Sequence, residues 1–261
     1  MKWFIRAENL WFSYDGRVSV IHGANLEIPP GEIVVIMGHT GCGKTTLLLL
    51  LAGLLKPSSG TIYYNSEPLE KLLPSIRRYI GFLFQNPDDQ LFNSTVYDEI
   101  AYSLRTLGLS ENDIHMKVTN ISKLLGLESL LDKPPYTLSI GEKRRVTLAS
   151  ILVYNPQILI LDEPVANLDY EGIMLVNKII RDFKSKNSTI VISTHDIDFA
   201  LEIADRVFLM SKGVVEGPFK PIDLLSRDLI ERYKLKPPLV LKLAEKLGIS
   251  LDRVLEVVRN S

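Results

Sequence analysis

The sequence predicts an α/β fold with a buried sheet, and three short apolar stretches carry that prediction. Residues 32–37, 158–161 and 189–193 are rich in β-branched residues, as in Ile33-Val34-Val35-Ile36. Runs this short and this apolar fit strands covered on both faces, as parallel strands between helices are. The first of them passes through a glycine-punctuated loop into Leu47–Ala52, a strong helix former that is apolar all round and so reads as a buried helix.

The chain opens with an antiparallel lobe. Residues 3–12 and 18–28 read as strands, with Ala24, Leu26 and Ile28 alternating against Asn25 and Glu27. Asp15-Gly16 supplies a hairpin-type turn, and Pro29-Pro30-Gly31 closes the lobe. Tyr14, just ahead of the turn, reads on its own as a strand-end aromatic.

The loop after residue 37 fits G-x-x-x-x-G-K-[ST] at Gly38, Gly43, Lys44 and Thr45. A strand before it and a helix after it are the context this pattern needs. Glycines let successive backbone N–H groups turn inward, and the helix start adds free donors and the positive end of its dipole. The candidate phosphate cradle is therefore Gly38, His39, Thr40, Gly41, Cys42, Gly43, Lys44, Thr45 and Thr46. Lys44 is placed to reach the outer phosphates of a nucleotide, and the Thr45 hydroxyl to ligate Mg²⁺.

Pro57-Ser58-Ser59-Gly60 is a turn, residues 61–64 a short strand and residues 77–84 another, which Pro87 ends, leaving Gln85 at the start of a loop. A helical lobe follows. Thr95-x-x-Asp98 and Ser110-x-x-Asp113 have the form of helix starts. Val96, Ile100, Leu104 and Leu107 make one apolar face, and Ile114, Val118, Ile121 and Leu125 the next. Pro134-Pro135 stops the pair.

Leu138-Ser139-Ile140-Gly141-Glu142-Lys143-Arg144-Arg145 is a polar, basic entry to a helix. It reads either as a solvated face or as a second anion site at a helix start, built on Ser139. The strand at 158–161 ends in Asp162 and Glu163, whose side chains point different ways along a strand. Asp162 is the candidate neighbour of Mg²⁺ and Glu163 the candidate group that polarises water. His195 ends the strand at 189–193, on the edge where open α/β sheets gather ligands. A phosphate sensor is the role expected there.

With 46% hydrophobic and 23% charged residues over 261 positions, the composition is that of a globular protein of one large domain or two unequal lobes. A net charge of −1 supplies no global field for nucleic acid, so none is expected as a partner. The single cysteine, Cys42, rules out an intramolecular disulfide, and with no signal peptide this leads us to expect a reducing, cytosolic setting. No stretch nears the roughly 20 apolar residues that cross a bilayer, so no membrane span is expected.

In order, these pieces resemble the nucleotide-binding subunits of ABC transporters over residues 1–217. Tyr14 matches the adenine-stacking loop, residues 38–45 the Walker A motif and Gln85 the Q-loop. Residues 138–142 resemble the LSGGQ signature, 158–163 the Walker B motif, 167–169 with Asp169 the D-loop, and His195 the switch histidine. Ile140 departs from the pattern by standing where the family carries glycine, and a β-branched residue there is expected to cost backbone freedom and signature-side affinity.

The resemblance implies a P-loop NTPase with a RecA-like core, an antiparallel β-subdomain, a helical subdomain at about 90–155, and a C-terminal helical extension over 218–261. It also implies a two-subunit sandwich, as homodimer or heterodimer. In it Ser139, Gly141 and Glu142 of one chain close over ATP held by the other, while Thr45, Gln85 and Asp162 hold Mg²⁺ and Gln85, Glu163 and His195 serve hydrolysis.

Residues 85–92 and a tail with Lys236-Pro237-Pro238 and helices at about 222–232, 238–247 and 250–259 look like the ATPases of energy-coupling factor (ECF) importers. That subgroup implies uptake of vitamins or transition-metal ions in prokaryotes. Its partners are a transmembrane coupling protein and a substrate-binding membrane protein, at the cytoplasmic face of the membrane. The other readings are an ATPase of a different ABC importer or exporter, a non-transport ABC ATPase, or an inactive regulatory copy.

Overall fold

The computed structural model describes residues 2–250. Two sheets share the work. β1 (Ile5–Ser13) and β2 (Ser19–Ile28) form the expected hairpin, and β4 (Ser59–Tyr64) and β5 (Glu67–Pro68) extend it to a four-stranded antiparallel sheet in the order β2-β1-β4-β5. The second sheet holds six strands in the order β10-β9-β3-β8-β7-β6. Its strands are β3 (Ile33–Met37), β6 (Ile80–Leu83), β7 (Ile158–Asp162), β8 (Thr189–Thr194), β9 (Arg206–Ser211) and β10 (Val214–Phe219). All run parallel except β10, which folds back on β9.

Strand alternation divides the core in two. Ile33, Val35 and Met37 of β3 face one half with Leu159, Leu161, Ile190 and Ile192; Val34 and Ile36 face the other with Ile158, Ile160 and Val191. Every residue of β3, β7 and β8 is buried, which is why these stretches read as apolar runs, with polar residues only at the ends of β7 and β8. Helix α1 (Lys44–Leu51) and the antiparallel sheet cover one face, with Leu47, Leu48, Leu50 and Leu51 inaccessible to solvent. A short turn of helix, α2 (Leu69–Leu72), packs on β4.

The helical lobe comprises α3 (Val96–Thr106), α4 (Glu111–Leu125) and α5 (Ile140–Leu152). Thr95 and Ser110 cap α3 and α4 by accepting from the amides of Asp98 and Asp113, as their spacing predicts. α6 (Tyr170–Ser185) and α7 (Ile197–Ile203) complete the other face of the parallel sheet. Asp169 and Asp196 cap them by accepting from Gly172 and Phe199.

Three local expectations are corrected. The strand at 77–84 begins only at Ile80, because Ser75–Tyr79 forms a 3₁₀ turn. Leu107 caps the end of α3 and is 41% exposed, so the α3 face ends at Leu104. The expected helix at 222–232 is broken at Ser226 into a 3₁₀ turn (Pro221–Leu225) and α8 (Arg227–Arg232), with the Ser226 hydroxyl capping α8. α9 (Leu239–Leu247) follows, and the expected helix at 250–259 lies outside the described residues but for Ser250.

The tail rests on the main core: Leu224, Leu225, Ile230, Tyr233 and Leu241 are buried with the β9 and α7 side chains. The Leu239 amide donates to both carboxylate oxygens of Asp198, at 3.0 and 3.2 Å.

Candidate nucleotide-binding and hydrolysis site

Four parallel strands deliver the site from one edge: β3 ends ahead of Gly38, β6 ahead of Gln85, β7 at Asp162 and β8 ahead of His195. The cradle depends on missing side chains. A Cβ on Gly38 would stand 2.2 Å from the Met210 carbonyl oxygen and 2.7 Å from Cys42 Sγ. Gly43 starts α1 at φ 110°, a left-handed conformation that favours glycine. Helices α3 to α7 each carry a side-chain cap, whereas α1 has none and no acid in its first turn. Its first N–H groups are therefore open to an anion.

Thr40, Gly41, Lys44, Thr45, Gln85, Asp162 and Glu163 line one cavity of about 180 Å³. Lys44 is buried, and Nζ donates to the carbonyls of Gly38 (2.9 Å) and His39 (3.4 Å) while lying 3.5 Å from Glu163 Oε1. Thr45 Oγ1 donates to Asp162 Oδ2 at 2.6 Å, and Ser193 Oγ donates to Asp162 Oδ1.

Glu163, 4% exposed, sits at φ 47°, with its amide donating to the carbonyl and the hydroxyl of Ser193. A non-glycine residue held there is strained, and such strain gathers at functional sites. His195 Nδ1 lies 3.0 Å from Glu163 Oε2, with the ring more than half exposed.

The oxygens of Thr45, Gln85 and Asp162 are the hard donors that Mg²⁺ takes. Among the described residues no group of three His, Cys, Asp or Glu side chains could hold a metal by itself. The Thr45, Gln85 and Asp162 donors fit Mg²⁺ of the kind bound in nucleotide sites, where phosphate oxygens and water complete the shell.

Tyr14 is 63% exposed, its hydroxyl 3.1 Å from Thr46 Oγ1 and its ring edge-on to Phe12 at 4.9 Å. A free aromatic face thus stands at the start of α1. Cys42 is 2% exposed, and burial raises its thiol pKa.

Arg144 and Ser193 were missed as functional candidates in the sequence. Arg144 is 2% exposed and donates to the carbonyls of Phe84 (2.7 Å) and Gln85 (2.6 Å); burial lowers its pKa. Its helical spacing to Thr147, Leu148 and Ile151, all buried, was the available signal. Ser193 gave none beyond being polar at the end of an apolar strand.

The signature residues do not join this cavity. Ser139, Gly141 and Glu142 line a separate cleft of about 420 Å³ with Asn167 and Asp169. Ser139 accepts from the Glu142 amide, and Glu142 accepts from the amide and hydroxyl of Ser139, a reciprocal cap. These bonds hold the Glu142 carboxyl below the usual carboxylate range. Ile140 occupies the first helical position with its side chain 62% exposed, and it is not among the residues at positive φ. The expected backbone penalty at this position is thus not found: a glycine's freedom is not used there.

The family model described as "ABC transporter" matches residues 21–166. The chain belongs to the ABC transporter ATPases. The energy-coupling factor transporter ATP-binding protein EcfA of Methanocaldococcus jannaschii is 36% identical over 250 residues, 94% of this chain and 90% of that protein. EcfA of Carboxydothermus hydrogenoformans is 38% identical over 250 residues, 94% of this chain and 93% of its own length.

Among solved structures, cbiO1 of Clostridium perfringens, described as part of the ABC transporter complex cbiONQ, aligns at TM-score 0.72 and 36% identity, covering 89% of this chain and 94% of that one. A dimeric ABC cassette bound to ADP and Pi, in a post-hydrolysis state, aligns at TM-score 0.76 and 28% identity, over 83% of this chain and 98% of that one. This ABC ATPase thus matches the two EcfA proteins over 94% of its own length.

Proposed function

We propose that this ABC ATPase energises an ECF-type importer of vitamins or transition-metal ions. It would work as one half of a two-subunit sandwich at the cytoplasmic face of a prokaryotic membrane. The observation that carries the sandwich is the separation of the two half-sites. The cradle and the signature cleft share no lining residue, so a nucleotide in the cradle meets Ser139 and Gly141 only from a second subunit, identical or divergent. The full-length likeness to EcfA proteins and to cbiO1 supports the ECF assignment. The ATPase unit is residues 1–217, with its helical subdomain at about 90–155, and residues 218–261 form the extension.

ATP binds with its phosphates on the amides of residues 39–46 and on Lys44, whose amine exchanges the Gly38 and His39 carbonyls for phosphate oxygens. Thr45, Gln85 and Asp162 would hold Mg²⁺, which neutralises charge developing on the transferred phosphoryl group. Tyr14 stacks on the base. Glu163 orients the attacking water and accepts its proton, and His195 fixes that carboxylate and the outer phosphate. Asp169 places the partner-facing loop beside the signature cleft. ATP-driven closure and its reversal after hydrolysis shift the population between two arrangements of the subunits.

Among the described residues no helix is long and apolar enough to cross a membrane, and in this reading a coupling protein carries the motion. A groove of about 520 Å³ between Arg77, Arg78, Tyr102, Leu107 and Tyr154 lies open to receive its cytoplasmic helix. Pull-down of the full-length chain from native membranes tests the reading. A coupling protein and a small substrate-binding membrane protein are expected. A permease working with an extracytoplasmic receptor would overturn it in favour of another class of ABC importer.

A further inference from the structure

We infer that Arg144 is a positioning residue that couples the signature end of α5 to Gln85, so that capture of a nucleotide by Ser139 and Gly141 on one face is transmitted to the metal and water side of the other. This rests on the role proposed above for Gln85.

The arginine is anomalous for its place. It is buried, its Nε has no hydrogen-bond partner, and no carboxylate pairs with it among the described residues. A buried guanidinium with no directly paired carboxylate, and only the charge of Asp162 acting on it from beyond ion-pair distance, is costly, and an apolar residue would fill the same space more cheaply if packing were its whole purpose. What the guanidinium does is grip two successive carbonyls, those of Phe84 and Gln85, with both terminal nitrogens. A planar fork set on two adjacent carbonyls fixes the orientation of the peptide between them, which a single-point lysine does not.

The rest of the loop is tied to the same helix. Gln90 accepts from the Phe84 amide and donates to the Thr147 carbonyl and Ser150 hydroxyl, and Lys143 holds Asp88 at 2.6 Å. Residues 84–90 therefore move with α5, whose first turn is the Ser139–Glu142 cap. Arg144 is the contact nearest Gln85, and Gln85 is the one member of that loop lining the cradle cavity. A shift of α5 on closure reaches Gln85 through this fork, and a misplacement of about 1 Å near the reacting atoms can cost roughly 10²-fold in rate.

The test is a double-mutant cycle on the purified full-length chain, read as phosphate release at saturating Mg²⁺, with Gln85→Ala, Arg144→Met and both together. Arg144→Met is expected to lower kcat by about 10-fold or more while KM for ATP stays within about twofold, with Arg144→Lys intermediate. The double variant is expected to be no slower than the slower single one, because both remove the same positioned group. Losses that multiply in the double variant, or wild-type kcat in Arg144→Met, overturn the inference and leave the role of Gln85 standing. Wild-type turnover in Gln85→Ala overturns both. Should Arg144→Met fail to fold, Arg144→Lys with and without Gln85→Ala is judged by the same rule.

Discussion

His195 Nδ1 lies 3.0 Å from one oxygen of Glu163, while Lys44 Nζ lies 3.5 Å from the other. Glu163 is thus held between the phosphate loop and the end of β8, beside the place where the proposed reading puts an outer phosphate and its attacking water. Glu163→Gln keeps the side chain's size and removes the proposed base. It is expected to slow hydrolysis by roughly 10²–10⁴-fold while ATP still binds. Single-turnover phosphate release beside an ATP titration checks it, and wild-type turnover would assign the base to another residue.

Tyr14 offers a free ring face and a hydroxyl bonded to Thr46. Tyr14→Ala is expected to weaken ATP binding by about 1–3 kcal/mol, the scale of base–aromatic stacking, and Tyr14→Phe far less. Titration with a fluorescent ATP analogue separates them. Equal affinity in Tyr14→Ala and wild type would leave the ring as a strand-end aromatic.

Ser139 caps α5 and, in the proposed sandwich, also contacts phosphate, and the two roles respond differently to mutation. As the cap of α5, its loss in Ser139→Ala should cost about 1 kcal/mol of stability, read by denaturant unfolding. As a phosphate contact across the sandwich, its loss should abolish ATP-induced dimers while single chains still bind ATP. Sedimentation with and without ATP in the Glu163→Gln background reads the second effect.

Glu142 makes that cap sensitive to acid. Its folded pKa is depressed by the Ser139 amide and hydroxyl, so its stabilising effect is present above the ordinary glutamate value of 4.5 and is lost as pH falls through the lower folded value. The stability gap between wild type and Glu142→Ala should accordingly be wider at pH 7 than at about pH 3. Denaturant midpoints at the two pH values measure it.

Ile140→Gly restores the residue the family carries. Because Ile140 is not among the positive-φ residues and begins α5, the change is expected to lower stability by up to about 1 kcal/mol and to leave ATP affinity unraised. A clear gain in ATP-driven dimer formation would show that the isoleucine does weaken the signature.

Much of this was legible in the chain. β3, β7 and β8 announced themselves because burial on both faces leaves no polar position to interrupt them. The caps at Thr95 and Ser110 were visible as a hydroxyl three residues ahead of an acid, whereas Ser139 read as an anion site and not as the cap it forms with Glu142. What escaped was set by contacts distant in sequence. The Arg144 fork closes on carbonyls some 60 positions away, and a basic cluster looks the same in sequence whether it faces water or a buried loop. Ser193 reads as a strand residue until β8 pairs with β7 and brings it level with Asp162. The break at Ser226 was missed because apolar spacing continues through it, although a serine three residues ahead of Leu229 could have signalled a new cap.

The bond from the Leu239 amide to Asp198 gives the tail a hold on the catalytic edge. Asp198 lies in the first turn of α7, three residues beyond His195, so losing or mis-seating the tail from Leu239 onward removes a tether from the helix that directly follows the imidazole. Damage to the tail at Leu239 can therefore disturb the neighbourhood of His195, even when every signature motif is intact.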